Sequence, residues 1–200
     1  MEKKPRLTRE EAKALTRRAL LDAAAQVFAA HGFHGASIDM IAEEAGYTKG
    51  AVYAHFASKD DLYLALLDEH LSGEGPPTTA LIESGAPIES IASEIEESLP
   101  GELEHLRDWG RLTHEFIVHA MRDETVRQRL AERLERARAE YAKSLERRAR
   151  ARGETPPADL SQQAVALLAF ENGLSLLGLI APELVAGGVY TATLARLLDR

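Results

Sequence analysis

The sequence predicts an all-α protein. Three observations lead there. Apolar residues recur at helical spacing through most of the chain, no stretch alternates apolar and polar residues as a half-buried strand does, and the breaks between apolar runs fall at glycine and proline, as at Gly32, Gly46, Pro100-Gly101 and Pro156-Pro157.

Taken in order, residues 1–8 form a basic arm, with Lys3, Lys4 and Arg6 around Pro5. Such an arm is either a solvated tail or a segment that touches phosphate. Thr8 to His31 reads as the first helix, with Leu20, Ala23, Ala24, Val27 and Phe28 as its buried stripe and Gly32 as its end. Ile38, Ile41, Ala42 and Ala45 then mark one face of a second helix, with Ser37 as N-cap and Asp39 in the first turn. Gly46 suits a left-handed helix end. Thr48 caps a short third helix whose Val52 and Phe56 are four apart. Helix, tight turn with glycine, helix is the pattern in which the second helix enters a DNA major groove. Ser58 with Asp61 three residues on is a capping-box signature ahead of Leu62, Leu64, Ala65, Leu66 and Leu67, so a fourth helix starts near Lys59. Lys59 stands where helix-start N–H groups favour phosphate.

Residues 71–79 are turn-formers and close that helix. Ile88, Ile91, Ala92, Ile95 and Leu99 carry helical spacing, and Glu102 to Met121 predicts a further helix. Arg122 to Arg152 is long and charged, with Val126, Leu130, Leu134, Ala137, Tyr141 and Leu145 as its packing stripe and Glu132–Arg136 and Glu146–Arg150 as i,i+4 pairs. Its terminal Arg147, Arg148, Arg150 and Arg152 read as an exposed helix end. Leu160 to Ile180 is apolar around much of its circumference, which in a small protein calls for burial against a partner subunit as well as the core. Tyr190 to Leu198 forms a last short helix. The division expected is 1–62 for the helix-turn-helix unit and 63–200 for a second helical domain.

Composition narrows the function classes. With no cysteine, disulfides, cysteine-ligated metal and thiol catalysis are excluded, and a cytoplasmic location is expected. The N-terminus lacks the apolar core of a signal peptide, and Ala164 to Ile180, interrupted by Glu171 and Asn172, falls short of a membrane span, so no membrane partner is expected. Residues 1–62 carry 9 basic and 9 acidic side chains and residues 63–200 carry 15 and 23, so the whole net charge of −8 lies in the second part. Phosphate contacts are local, so an acidic chain with a basic surface still binds DNA. His105, His114 and His119 lack i,i+4 ligand spacing, and no catalytic motif or phosphate loop is present; neither a metal, a cofactor nor an enzyme activity is expected.

Residues 16–62 resemble the N-terminal domain of TetR (tetracycline-repressor) type bacterial regulators. The resemblance rests on Phe28, Gly32, Ser37, Ile41, Ala42, Ala45, Gly46, Lys49-Gly50, Tyr53, His55, Phe56, Lys59 and Leu62 at their spacings. EFIVHAMRDETVRQRL and LLAFENGLSLLGLIAPELV look like the ligand-binding domain of many such proteins. The resemblance implies that Thr48, Lys49, Gly50 and Ala51 face base edges or nearby backbone, and that Tyr53, His55 and Lys59 hold phosphates. Ala54 departs from the larger residue usual there. It further implies double-stranded operator DNA as target, a homodimer through the last two helices, and release from DNA by a small-molecule effector, repression being the usual mode. Trp109, Leu112 and Phe116, with Phe170 and Asn172, are the candidates to line the effector pocket. Two other classes stay open: a dimeric DNA-binder of the same fold controlled by a protein partner or abundance, and a small helical enzyme or adaptor.

Overall fold

The computed structural model describes residues 8–72, 82–88, 109–185 and 188–198. The described residues are helical, with turns and no strand. They fall in two compact units, Met1–Glu69 and His70–Arg200.

In the first unit, α1 (Arg9–Gly35) begins at a reciprocal capping box. The Thr8 side chain accepts from the Glu11 N–H at 3.2 Å, and the Glu11 carboxylate accepts from the Thr8 N–H at 2.7 Å. Gly32 breaks α1 with φ 68, and one more turn follows to Gly35. The expected end at Gly32 is therefore a kink. α2 (Ile38–Glu44) starts at Ser37, whose hydroxyl accepts from the Met40 N–H. It ends where Gly46, at φ 70, lets the Tyr47 N–H reach back to the Ala42 carbonyl at 2.8 Å, a Schellman closure that needs a left-handed residue. α3 (Lys49–Tyr53) is capped by Thr48, whose hydroxyl accepts from the Ala51 N–H. α4 (Lys59–Ser72) starts as its capping signature predicts, with the Asp61 N–H donating to Ser58 Oγ.

Leu20, Leu21, Phe28, Phe33, Ile41, Val52, Leu62 and Tyr63 are fully buried in this unit. Phe28, Phe33 and Tyr63 meet ring to ring at 5.7–6.0 Å, so the first turns of α4 complete the core. That packing carries the first unit past residue 62, to Glu69.

In the second unit, residues 109–120 form α5, the described part of the predicted Glu102–Met121 helix. The remainder, and the expected stripe from Ile91 to Leu99, lie outside the described residues. α6 (Glu124–Ala151) is capped by Asp123, which accepts from the Thr125 and Val126 N–H groups. Glu146 and Arg150 pair at 2.7 Å as their spacing predicts. Two side chains depart from expectation. Leu134 is exposed rather than packed, and Arg148 is buried rather than part of an exposed basic end. Arg148 Nη1 donates to the Ala86 carbonyl at 3.0 Å, while Glu83 accepts from both Ser144 and Arg147. The segment 82–88 is thus fastened to the end of α6.

α7 (Leu160–Ile180), a 3-10 turn (Pro182–Val185) and α8 (Val189–Leu198) follow. Ile82, Ile88, Tyr141, Leu145, Ala164, Leu167, Leu194 and Leu198 form the core that joins α6, α7 and α8. The buried Tyr141 donates its hydroxyl to Glu171, and burial followed by the Glu171 charge pushes the phenol pKa well above its ordinary range. Val165, Ala169, Asn172, Leu176 and Ile180 fall on one outward stripe of α7. Ile180 is 73% exposed, Val165 50% and Leu176 42%. The mean hydropathy of the most apolar window of α7 is 1.5, which makes it long and apolar enough to cross a membrane by length and composition alone. This corrects the shortfall expected from sequence: Glu171 and Asn172 are too few to lower the average of so apolar a helix.

Candidate nucleic-acid interface

α3 is a short helix held by two anchors. Val52 and Phe56 are buried, as expected, and fix which side of the helix turns outward. Thr48, Lys49, Gly50, Tyr53 and Ala54 are then exposed, with Ala51 and His55 half-buried beside them. Tyr53 keeps half its surface in solvent. A Cβ built on Gly50 meets nothing closer than Thr48 Oγ1 at 3.8 Å. The absent side chain therefore leaves room above the protein, where a ligand backbone or base edge can come close.

Three expected contact residues already have partners. The Thr48 hydroxyl accepts from its own helix and retains its proton to donate. Lys49 Nζ lies 2.8 Å from Asp39 Oδ2, and that carboxylate holds the ammonium pKa up. Lys59 turns inward. Its ammonium donates to the Phe33 carbonyl at 2.7 Å and the Ala36 carbonyl at 2.9 Å, and lies 4.6 Å from the centre of the Phe33 ring. Burial lowers its pKa, against a smaller opposite effect from Asp60. Lys59 is first a tie across the α1–α2 connection, with one N–H left to offer.

The structure adds residues that the motif did not supply. Burial lowers the His55 pKa, and the charges of Lys13 and Arg17 on α1 lower it further. Arg17 also lies over the Phe56 ring at 5.2 Å. Thr16 Oγ1 reaches the Tyr47 hydroxyl at 3.5 Å, and Tyr47 keeps 39% of its surface exposed. Thus α1 brings cationic and polar side chains to the edge of α3. Of the seven basic residues among the first twenty, Arg9, Lys13, Arg17 and Arg18 lie on α1, and they were the available signal in the sequence.

The candidate effector residues separate into different surroundings. Leu112 and Phe116 are buried on one face of α5, with Trp109 half-buried on the same side. Gly110 meets α7 closely, since a Cβ there would press on Ser175. Phe170 stacks on Tyr190 at 5.6 Å, against the α6–α7–α8 core. Asn172 departs from the expected pocket position: it sits on the outward stripe of α7 and donates to the Leu168 carbonyl of its own helix at 2.8 Å. A cleft of about 460 Å³ opens instead between Leu145, Arg148, Thr155, Asp159, Gln163 and Leu198, with none of the five candidates among its walls. Among the described residues, no cluster of histidine and carboxylate side chains could hold a metal ion.

A capped two-helix unit with a tight glycine turn, displaying a polar face on its second helix, defines a helix-turn-helix DNA-binding protein. The comparisons agree. Residues 20–66 match the model of bacterial regulatory proteins of the tetR family, and residues 87–200 match that of the BetI-type transcriptional repressor C-terminal domain. The chain belongs to the TetR family of transcriptional regulators. It is similar to the HTH-type transcriptional regulator RutR of Escherichia coli K12, 33% identical over 113 residues, which is 56% of this chain and 51% of RutR. Salmonella enterica GusR has the same fold, with a TM-score of 0.63 and 26% identity over 98% of this chain and all of that one. The transcriptional regulator FadR of Bacillus subtilis, solved in complex with stearoyl-CoA, shares the fold at a TM-score of 0.57 and 16% identity over 90% of this chain and 96% of that one. The chain spans between 27% and 68% of the length of the first curated relatives it matches.

Proposed function

We propose that this chain is a homodimeric, cytoplasmic repressor that leaves its operator when a small molecule binds the second unit. The outward face of α3 carries the DNA-binding half of this reading. Thr48, Lys49, Gly50 and Ala51 meet base edges and adjacent backbone. Lys49 donates to guanine O6 and N7, and Ala51 meets a thymine methyl. Tyr53, His55 and Lys59 hold phosphates, which sets register without reading sequence. The outward stripe of α7 supports the dimer, because a row of exposed valine, leucine and isoleucine on a long helix needs covering. Trp109, Leu112, Phe116 and Phe170 are the proposed pocket residues, and the ligand complex named for FadR supports a ligand role for this fold.

Tyr53→Ala is expected to weaken binding to all duplexes alike, by about tenfold, whereas Lys49→Ala also relaxes base preference. Fluorescence anisotropy on duplexes enriched from a random library measures both. Unchanged affinity in Tyr53→Ala removes the phosphate assignment, and failure to enrich any duplex at low salt removes the regulatory reading. A ligand selective for the native state raises the unfolding midpoint, so a thermal-shift screen of lipophilic compounds tests the effector half.

His55 gives this contact a pH dependence. Its pKa in the free protein lies below the ordinary 6.5, because burial and two neighbouring cations disfavour the imidazolium. A phosphate beside it favours the imidazolium, so DNA binding takes up a proton. Affinity is therefore expected to rise as pH falls towards the free-protein pKa and to level off below it. Anisotropy titrations across that range measure the slope, and His55→Gln is expected to flatten it. A wild-type affinity that falls on acidification contradicts the contact.

A further inference from the structure

We propose that Asp39 is a specificity-determining residue, which holds the Lys49 ammonium away from DNA phosphate and yields it where a base edge replaces the carboxylate. This rests on the DNA-binding reading above. Lys49 Nζ and Asp39 Oδ2 are 2.8 Å apart, joining the first residue of α3 to the first turn of α2. Both side chains stay more than half exposed, so the pair is open to exchange rather than locked in a core. Ser37 already caps α2 through the Met40 N–H, so Asp39 is not needed as the cap.

The position of Asp39 gives the pair its consequence. In a helix-turn-helix, the first helix crosses the sugar–phosphate backbone while the second reads the groove. Asp39 therefore puts a negative charge on the side that meets phosphates. On arbitrary DNA, Lys49 must give up a carboxylate for a phosphate, exchanging one anion for another, while Asp39 is left facing the backbone unpaired. On the correct site, Lys49 gains the two acceptors of a guanine edge, a directional contact that arbitrary DNA does not offer. The carboxylate thus weakens non-specific binding more than specific binding, which is discrimination against the wrong partner.

The test is a double-mutant cycle of Asp39→Asn and Lys49→Met in the full-length chain. Affinities are read by anisotropy at several salt concentrations on two duplexes: one enriched by the wild type from a random library, and one of the same composition with its sequence shuffled. Asp39→Asn keeps size and hydrogen bonding but removes the charge. It is expected to tighten binding to the shuffled duplex about tenfold and to the enriched duplex by no more than about threefold, and to steepen the salt dependence on shuffled DNA by about one charge. In the Lys49→Met background the same change is expected to leave the ratio of the two affinities unaltered. The proposal is overturned if Asp39→Asn leaves that ratio unchanged, or lowers it equally with and without Lys49, since the carboxylate then acts only as a general charge. Wild-type protein that enriches no duplex sinks the DNA-binding reading itself, an outcome distinct from a wild type that discriminates and a variant that discriminates equally well.

Discussion

Glutamate at both Leu176 and Ile180 is expected to give a monomer that binds its operator at least about 100-fold more weakly. Both side chains lie on the outward stripe of α7, at 42% and 73% exposure. In a single chain, a charge there faces water and costs little. In a dimer, it buries two carboxylates per protomer in an apolar interface without partners, a cost of several kcal/mol that no interface of modest size withstands. Loss of the dimer uncouples the two half-sites. Linked binding of two modules commonly gains 10²–10⁴ over either alone, and this gain is what disappears. Sedimentation velocity reads the oligomeric state and anisotropy reads the affinity. A doubly substituted protein that remains dimeric and binds normally removes α7 as the interface. One that is monomeric yet binds normally removes the need for two half-sites, which a dimer sets one helical turn, about 34–36 Å, apart.

Lys59→Met is the second large effect. Its ammonium is the shared donor to the Phe33 and Ala36 carbonyls and also covers the Phe33 ring. Methionine retains most of the apolar stem and removes the donor, leaving two part-buried carbonyls to find water. The expected cost is about 2 kcal/mol, the range measured for charged hydrogen bonds lost from partly buried sites. The loss falls on the connection that leads into α2, so the placement of α3 relaxes with it. Hydrogen exchange of peptides covering residues 37–56 is expected to quicken in the absence of DNA, and operator affinity to fall. Unaltered exchange with weakened binding assigns Lys59 to phosphate contact alone.

These residues show where sequence reasoning succeeds and where it stops. The helix-turn-helix was legible because its signals act over a few residues: Ser37 on Met40, Thr48 on Ala51, Ser58 on Asp61, and Gly46 returning Tyr47 to Ala42. Each is a cap or turn whose partner lies within five positions. Lys59 bonds carbonyls 26 and 23 residues away, and Asp39 meets Lys49 across the turn, so neither pairing is written in local spacing. Periodicity gave the length of α7 correctly, residue for residue, but not its orientation. A helix apolar on most sides does not say which stripe faces the core and which faces outward, and Asn172 stands on the outward one. Arg148 failed for the opposite reason. Its neighbours are charged and solvated, and its partner, the Ala86 carbonyl, lies 62 residues away.

The transmission expected between the two halves follows the chain itself. The boundary between the compact units falls after Glu69, inside α4, so one helix belongs to both. An effector that prefers the DNA-incompetent arrangement changes operator affinity only by its differential affinity for the two arrangements.

The lone Trp109 gives the molecule an unplanned convenience. It is the single tryptophan of the chain and lies in the second unit, whereas Tyr47, Tyr53 and Tyr63 are the chromophores of the first. Light absorbed by indole alone therefore reports on the second unit and is blind to the first. A compound settling against α5 should shift or quench that emission in a protein with no label attached, while a labelled duplex in the same cuvette reports the output. Stimulus and response then have separate colours, and the order in which they change can be timed.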